Sequence, residues 1–134
     1  MANKELIFQI KNLQMWFPIR EGMMRRTTGH VKAVDDVSLD IYKGETLGIV
    51  GESGCGKSTL GKTIMMLNTP TGGQVLFNYE GQFKDITKFT SQELFQFRKK
   101  VQMVFQDPYS ALNPLKTIYT AFEEPLKVHG INTK

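Results

Sequence analysis

Cysteine is nearly absent: the 134 residues hold one, Cys55, which excludes an internal disulfide and suits a reducing compartment. Long apolar runs are missing too. No stretch approaches the roughly 18 consecutive apolar residues of a membrane span, so the chain does not read as integral to a bilayer. The opening MANKELIFQI has no apolar block followed by a small-residue cleavage site and does not read as a secretory leader. A dominant charge is also lacking, since 17 basic residues against 13 acidic ones leave only +4. The excess gathers in residues 20–32 alone, through Arg20, Arg25, Arg26 and Lys32 against Glu21. That stretch is too sparse, and too poor in interleaved aromatics, for a nucleic-acid footprint, so no nucleic acid is expected as a partner. What is present is the composition of a globular chain, 40% hydrophobic and 22% charged, in a length suited to one domain.

Leu6, Phe8 and Ile10 alternate with polar residues, which predicts a half-buried strand. Residues 18–30 lose that period and carry Gly22, Gly29 and basic side chains, which predicts a protruding loop. Val37, Leu39 and Ile41 alternate again, and Lys43-Gly44 marks a turn. Residues 46–50, Thr-Leu-Gly-Ile-Val, form a short apolar run of the kind buried on both faces of a parallel sheet. Residues 57–67 place Leu60, Ile64 and Leu67 at helical spacing, and residues 68–73, with a proline and two glycines, end that helix. Residues 74–79 read as a strand. Thr90 with Glu93 three residues on predicts a capping box ahead of a short helix carrying Leu94 and Phe97. Residues 101–105 are a second buried-strand candidate, 108–114 a loop, and 117–129 a helix broken near Pro125.

Gly51-Glu52-Ser53-Gly54-Cys55-Gly56-Lys57-Ser58 fits G-x-x-x-x-G-K-[ST] without a mismatch, and Thr59 follows it. Nucleotide phosphates are polyanions, and a loop surrounds them only if its backbone N–H groups turn inward, which glycines permit. The loop would open a helix whose N-terminus adds uncommitted N–H groups and partial positive charge. Lys57 would reach the β- and γ-phosphates, and Ser58 would offer its hydroxyl to Mg²⁺. The competing reading, a glycine-rich turn with an accidental lysine, does not account for the buried-strand pattern before the loop and the amphipathic helix after it. Cys55 has no histidine near it in sequence, and its position asks mainly for a small residue, so its role reads as structural.

The run Val101-Gln102-Met103-Val104-Phe105-Gln106-Asp107-Pro108-Tyr109-Ser110-Ala111-Leu112-Asn113-Pro114 puts a glutamine at the end of an apolar segment, before a Pro/Asn loop. Together with GESGCGKST it closely resembles the ATP-binding subunits of ABC transporters, and FQDPYSALNP resembles the dipeptide/oligopeptide importer group in particular. The likeness extends over nearly the whole chain, from IKNLQMWFPI through VKAVDDVSLDIYKGETLGIVGESGCGKSTLGKTI and beyond. It implies an α/β P-loop NTPase core with an N-terminal antiparallel β layer and the start of a helical subdomain, incomplete. Residues 1–134 would be the N-terminal part of a nucleotide-binding domain, with the phosphate loop at 51–59 and the Q-loop region at 104–114.

The implied cofactors are ATP and Mg²⁺. Gly51, Glu52, Ser53, Gly54, Cys55, Gly56, Lys57, Ser58 and Thr59 would hold the nucleotide. Gln106, in the Q-loop, would help Ser58 ligate Mg²⁺, position the attacking water and couple to the membrane subunit; with Lys57 it is a candidate catalytic residue. Phe17, with Trp16 as the neighbour able to substitute, falls where the family stacks an adenine, and an aromatic face suits a flat base. The implied partners are transmembrane permease subunits, a second ATP-binding subunit and, indirectly, a peptide-binding protein, at the cytoplasmic face of the membrane.

Thr71-Gly72-Gly73-Gln74 imitates the family's signature motif but follows the phosphate-loop helix too closely and reads as a turn. Asp107 imitates a Walker B aspartate, but Gln106 intervenes between it and the apolar run. Within the 134 residues there is no true signature motif, no apolar run ending in Asp-Glu and no switch histidine: His30 precedes the loop and His129 reads as a solvated residue of the terminal helix. A truncated subunit is therefore expected, without turnover of its own. In the family's sheet the strand feeding the phosphate loop lies between strands from later in the chain, so residues 46–50 would expose unpaired edges. The alternatives are a non-catalytic nucleotide-binding fragment and a different P-loop NTPase such as a small kinase; a GTPase would require N-K-x-D, which does not occur.

Overall fold

The computed structural model describes residues 4–22, 26–107 and 112–131. They fall into two compact units, Met1–Gln102 and Met103–Lys134. The first is built on an antiparallel sheet of strands β1 (Leu6–Glu21), β2 (Arg26–Tyr42), β3 (Gly72–Tyr79) and β4 (Gln82–Asp85), in the order β2-β1-β3-β4. Helix α1 (Lys57–Ile64) and helix α2 (Ser91–Lys100) complete it, with a single 3₁₀ turn at Ile86–Lys88.

The alternation in β1 lays Phe8 and Ile10 on one face, and Val34, Val75 and Phe77 join them from the neighbouring strands. Leu60 and Ile64 of α1, Ile86 and the fully buried Phe97 of α2 close the core. Three of its rings interlock: Phe8 and Phe77 have centroids 4.8 Å apart, and Phe97 meets Phe77 edge-on at 5.3 Å. Such pairs add attraction beyond burial of area.

Several expectations need correction. Residues 18–21 and 26–30, expected within a loop, are strand: β1 continues to Glu21, β2 begins at Arg26, and Pro18 pairs with His30, Ile19 with Gly29 and Arg20 with Thr27. The hydrophobic period fails there because both faces of this hairpin meet solvent, whereas the backbone ladder needs no period at all. Helix α1 stops at Ile64 rather than at Leu67. Met66 adopts a left-handed φ of 53°, and the N–H groups of Met66 and Leu67 donate to the carbonyls of Thr63 and Lys62, closing the helix in a Schellman motif without glycine. Leu67 is consequently exposed.

Residues 46–50 and 101–105 form no strand. Val50 is 93% and Val104 95% exposed, beside half-exposed Leu47, Ile49 and Phe105. An apolar run makes a segment suited to burial in a sheet, but a ladder needs neighbouring strands, and none of the described residues supplies one. The exposure expected for residues 46–50 is what the fold displays. Strand β4 carries no clear pattern of its own and is created by the two-residue turn Glu80-Gly81, with φ of 54° and 88°, the pairing expected of a type I′ hairpin.

The capping box forms as read. The Glu93 N–H donates to Thr90 Oγ1 at 3.4 Å, and Glu93 Oε2 accepts from the Thr90 N–H at 2.8 Å. These bonds from the Thr90 backbone and hydroxyl hold the Glu93 carboxyl below its ordinary value. A carboxylate lowered on folding stabilises the helix above its unfolded pKa, and that contribution disappears as pH falls through the lower folded value. Thr90→Ala is expected to cost about 1 kcal/mol in urea titrations at neutral pH. The difference from the parent should shrink below pH 4; a gap independent of pH would count against the box.

The second unit contains helix α3 (Ile118–Val128), capped by Thr117, whose hydroxyl accepts from the Thr120 N–H at 3.2 Å. The expected break at Pro125 does not occur, and the helix runs through it. A proline removes one donor and crowds the preceding turn; here Lys127 and Glu123, paired at 2.9 Å, clasp the helix across that position. His129 is half-buried rather than solvated, its N–H donating to the carbonyls of Pro125 and Leu126 as the helix closes. Residues 108–111, within the expected Q-loop region, lie outside the described residues.

Candidate functional site

The site grows from three glycines. Gly54 and Gly56 hold φ of 81° and 93°, the left-handed region that side chains with a Cβ resist. Gly56 is doubly constrained: it is the N-cap of α1, and a Cβ there would stand 2.1 Å from the Ala33 carbonyl oxygen of β2. At Gly51 a Cβ would meet Cys55 Sγ at 2.8 Å. The loop is thereby drawn tight against itself and against β2. Gly56→Ala should destabilise the first unit by about 1–3 kcal/mol through clash and a forced φ, read as a lower denaturant midpoint. A midpoint equal to the parent's would contradict this loop geometry.

Helix α1 starts with no side-chain cap and no acidic residue in its first turn, so its first N–H groups and the positive end of its dipole remain uncommitted. The Lys57 ammonium folds back over the loop and donates to the carbonyls of Gly51 and Glu52 at 2.7 and 2.5 Å, with Cys55 Sγ at 3.5 Å. Ser58 lies next to it, exposed, and Thr59 is half-buried with its carbonyl accepting the Thr63 hydroxyl at 2.7 Å. A cation held on the loop's own carbonyls, beside the uncapped start of a helix, is chemistry suited to a polyphosphate.

Beside the loop runs a groove of about 370 Å³. One wall is Cys55, Gly56, Lys57 and Leu60 with the incoming Ile49 and Val50. The other is the edge strand β2, through Lys32, Ala33, Val34, Asp35 and Val37. Lys32 and Asp35 escaped the sequence reading because strand alternation gives no sign of them. Lys32 lies 3.1 Å from Asp35 and 4.5 Å above the Trp16 ring, while Trp16 Nε1 donates to Asp35 at 3.1 Å.

Trp16 is thus engaged by its neighbours. Phe17, paired with Val31, is 40% exposed, and neither aromatic lines the groove. Gln106 is exposed in an irregular segment of the second unit, as is Asp107. The structure therefore brings Gly51 to Thr59 together in one loop, while Phe17 stands in the hairpin and Gln106 in a separate unit. The turn expected at Thr71-Gly72-Gly73-Gln74 is corrected: only Thr71 precedes β3, while Gly72 pairs with Gln14 and Gln74 with Lys11 of β1, and a Cβ on Gly73 would come 2.3 Å from the Asn12 carbonyl oxygen.

Among the described residues no group of three or more His, Cys, Asp or Glu could hold a metal ion. Mg²⁺ needs no such cage, since it commonly takes one or two protein oxygens beside phosphate oxygens and water. The hydroxyl of the exposed Ser58, the residue after Lys57, fits that donor set.

A family model described as ABC transporter matches residues 34–132. The chain is 50% identical over 133 residues to the oligopeptide transport ATP-binding protein AppF of Bacillus subtilis, covering 98% of this chain and 39% of that protein. It is 49% identical over 121 residues to OppF, of the same description, from Lactococcus lactis, covering 90% and 37%. To the glutathione import ATP-binding protein GsiA of Escherichia coli it is 43% identical over 131 residues, 98% of this chain and 20% of that one. The chain thus spans about two-fifths or less of the length of these relatives. Among solved structures, the dimeric ATP-binding cassette MJ0796, in a post-hydrolysis state bound to ADP and Pi, superposes with a TM-score of 0.71 at 26% identity, over 96% of this chain and 50% of that one. The antiparallel layer, glycine-rich loop and helices described above are accordingly part of an ATP-binding cassette fold.

Proposed function

This chain belongs to the ABC transporter family, and from that premise we propose that it forms the ATP-binding part of a peptide importer. The observation that supports this most is the loop from Gly51 to Thr59, with Lys57 poised over its carbonyls and the uncapped start of α1 behind it. The loop's backbone N–H groups would meet the charge of a bound triphosphate. Lys57 exchanges the carbonyls of Gly51 and Glu52 for β- and γ-phosphate oxygens, a stronger charge-assisted contact. Mg²⁺, when bound, neutralises phosphate charge; Ser58 and Gln106 are the residues that would hold it. Phe17, the aromatic not already tied to Asp35, offers its face to the base.

Transport of oligopeptides is suggested by the likeness to AppF and OppF. The partners on this reading are permease subunits, a second ATP-binding subunit and, through the permease, a peptide-binding protein. Its place is peripheral, at the cytoplasmic face of the membrane; among the described residues no helix is long and apolar enough to cross one. Turnover by these 134 residues alone is not part of the proposal, because phosphoryl transfer needs positioned carboxylates that the motif pattern does not provide.

A nucleotide panel tests the binding reading, with Mg-ATP expected to outcompete Mg-GTP. Preference for GTP, or phosphate transfer to a small acceptor, would favour a different P-loop enzyme. The coupling reading is tested by crosslinking from Leu112, 56% exposed in the second unit, to a co-expressed peptide permease. Tyr109, in the same run, lies outside the described residues. Crosslinks found only from the opposite surface would argue against docking through the Q-loop region.

A further inference from the structure

We propose that Asn12 and Asp36 are a positioning pair for the phosphate loop, acting through the bulged segment of β2 on which Gly56 rests. The register of the β1–β2 ladder slips three times within a few residues. Ile10 pairs with Leu39 but Leu13 with Val37, which leaves an extra residue on β1. Met15 then pairs with Val34 and Trp16 with Lys32, which leaves two extra residues on β2. The first two slips are made by residues in left-handed conformation, Asn12 at φ 47° and Asp36 at φ 56°, a region that Asn and Asp tolerate better than other residues with a Cβ.

The two are bonded to each other. Asn12 Nδ2 donates to Asp36 Oδ1 at 2.6 Å, and the Asn12 N–H donates to Ser38 Oγ at 2.8 Å. The third slip is held by the Trp16, Lys32 and Asp35 contacts. A bulge re-aims the strand that carries it. Here the re-aimed strand presents the Ala33 carbonyl to the Cβ-less side of Gly56 and forms one wall of the groove. Asp36 is the one residue from 32 to 37 that does not line that groove, its carboxylate being turned to Asn12 instead. Regular pairing would shift Ala33 and reverse the faces of its neighbours, and the loop would lose its support.

The consequence for nucleotide affinity rests on the proposed function, but the geometry can be read without nucleotide. Cys55 is the sole cysteine and exposed, 3.5 Å from the Lys57 ammonium, so its rate of labelling by a maleimide reports the loop. In Asp36→Ala, checked by circular dichroism to be folded, that rate should change by about threefold or more and the Kd for Mg-ATP should rise by about tenfold. Asp36→Asn, which keeps both the backbone preference and an acceptor oxygen, should restore both readouts. Asn12→Ala provides the same test if Asp36→Ala does not fold. Altered labelling in a chain whose parent binds no Mg-ATP would uphold the pair and sink the nucleotide reading. Unchanged labelling in the folded variants, with only a lower melting point, would overturn the proposal whatever the affinity does.

Discussion

Lys57→Ala is expected to weaken Mg-ATP binding at least about tenfold, since a charge-assisted hydrogen bond contributes roughly 1.5–3 kcal/mol. The loop holds the ammonium on the carbonyls of Gly51 and Glu52. On the proposed reading it moves from neutral acceptors to phosphate oxygens, and the difference between those partners is what the substitution removes. Stability should change little, because the Lys57 contacts lie within the loop and the core is formed without them. Titration calorimetry measures the first effect and thermal unfolding the second. Unchanged affinity in a folded variant would remove the assignment of the loop, and Lys57→Arg should not rescue it, because the guanidinium is a broader planar donor than the ammonium point charge.

Phe97→Ala should have the largest effect on folding, a loss of about 3–5 kcal/mol. Phe97 is fully buried and stands edge-on to Phe77 at 5.3 Å and to Phe8 at 6.3 Å, so it ties α2 to the two central strands. Truncation would leave a cavity between three elements that cannot all collapse into it. Against a total stability of roughly 5–15 kcal/mol for a domain, the variant should approach unfolding at physiological temperature. Phe97→Leu should recover more than half of the loss. An unfolding free energy for Phe97→Ala within about 1 kcal/mol of the parent's, from denaturant titration, would show that α2 is held by something other than this ring.

The parts of the molecule that were legible in advance depend on neighbours close in sequence. The capping box needs only Thr90 and Glu93, and the loop needs only its glycines, lysine and serine. The core faces of β1 and β3 follow from the alternation of Leu6, Phe8 and Ile10 and of residues 74–79. What stayed hidden depends on distant partners. The left-handed Met66 that closes α1 carries no glycine to announce it. Lys32 and Asp35 reach the groove because β2 bulges beside them, and β2 bulges because of how it pairs with β1.

Sequence alone determined the chemistry offered: a glycine-rich loop with a lysine before a helix, the family likeness, and which faces of the strands seek burial. Each follows from spacing along the chain, which covalent geometry carries into space over a few residues. Tertiary structure decided the length of the β1–β2 hairpin, the exposure of residues 46–50 and the wall that faces the phosphate loop. Those depend on which backbone groups find partners and in what register, and register is a property of two strands at once. Asp36 shows the division plainly: its side chain can be read from the sequence, but its left-handed backbone and its bond to Asn12 exist only once β1 lies beside β2.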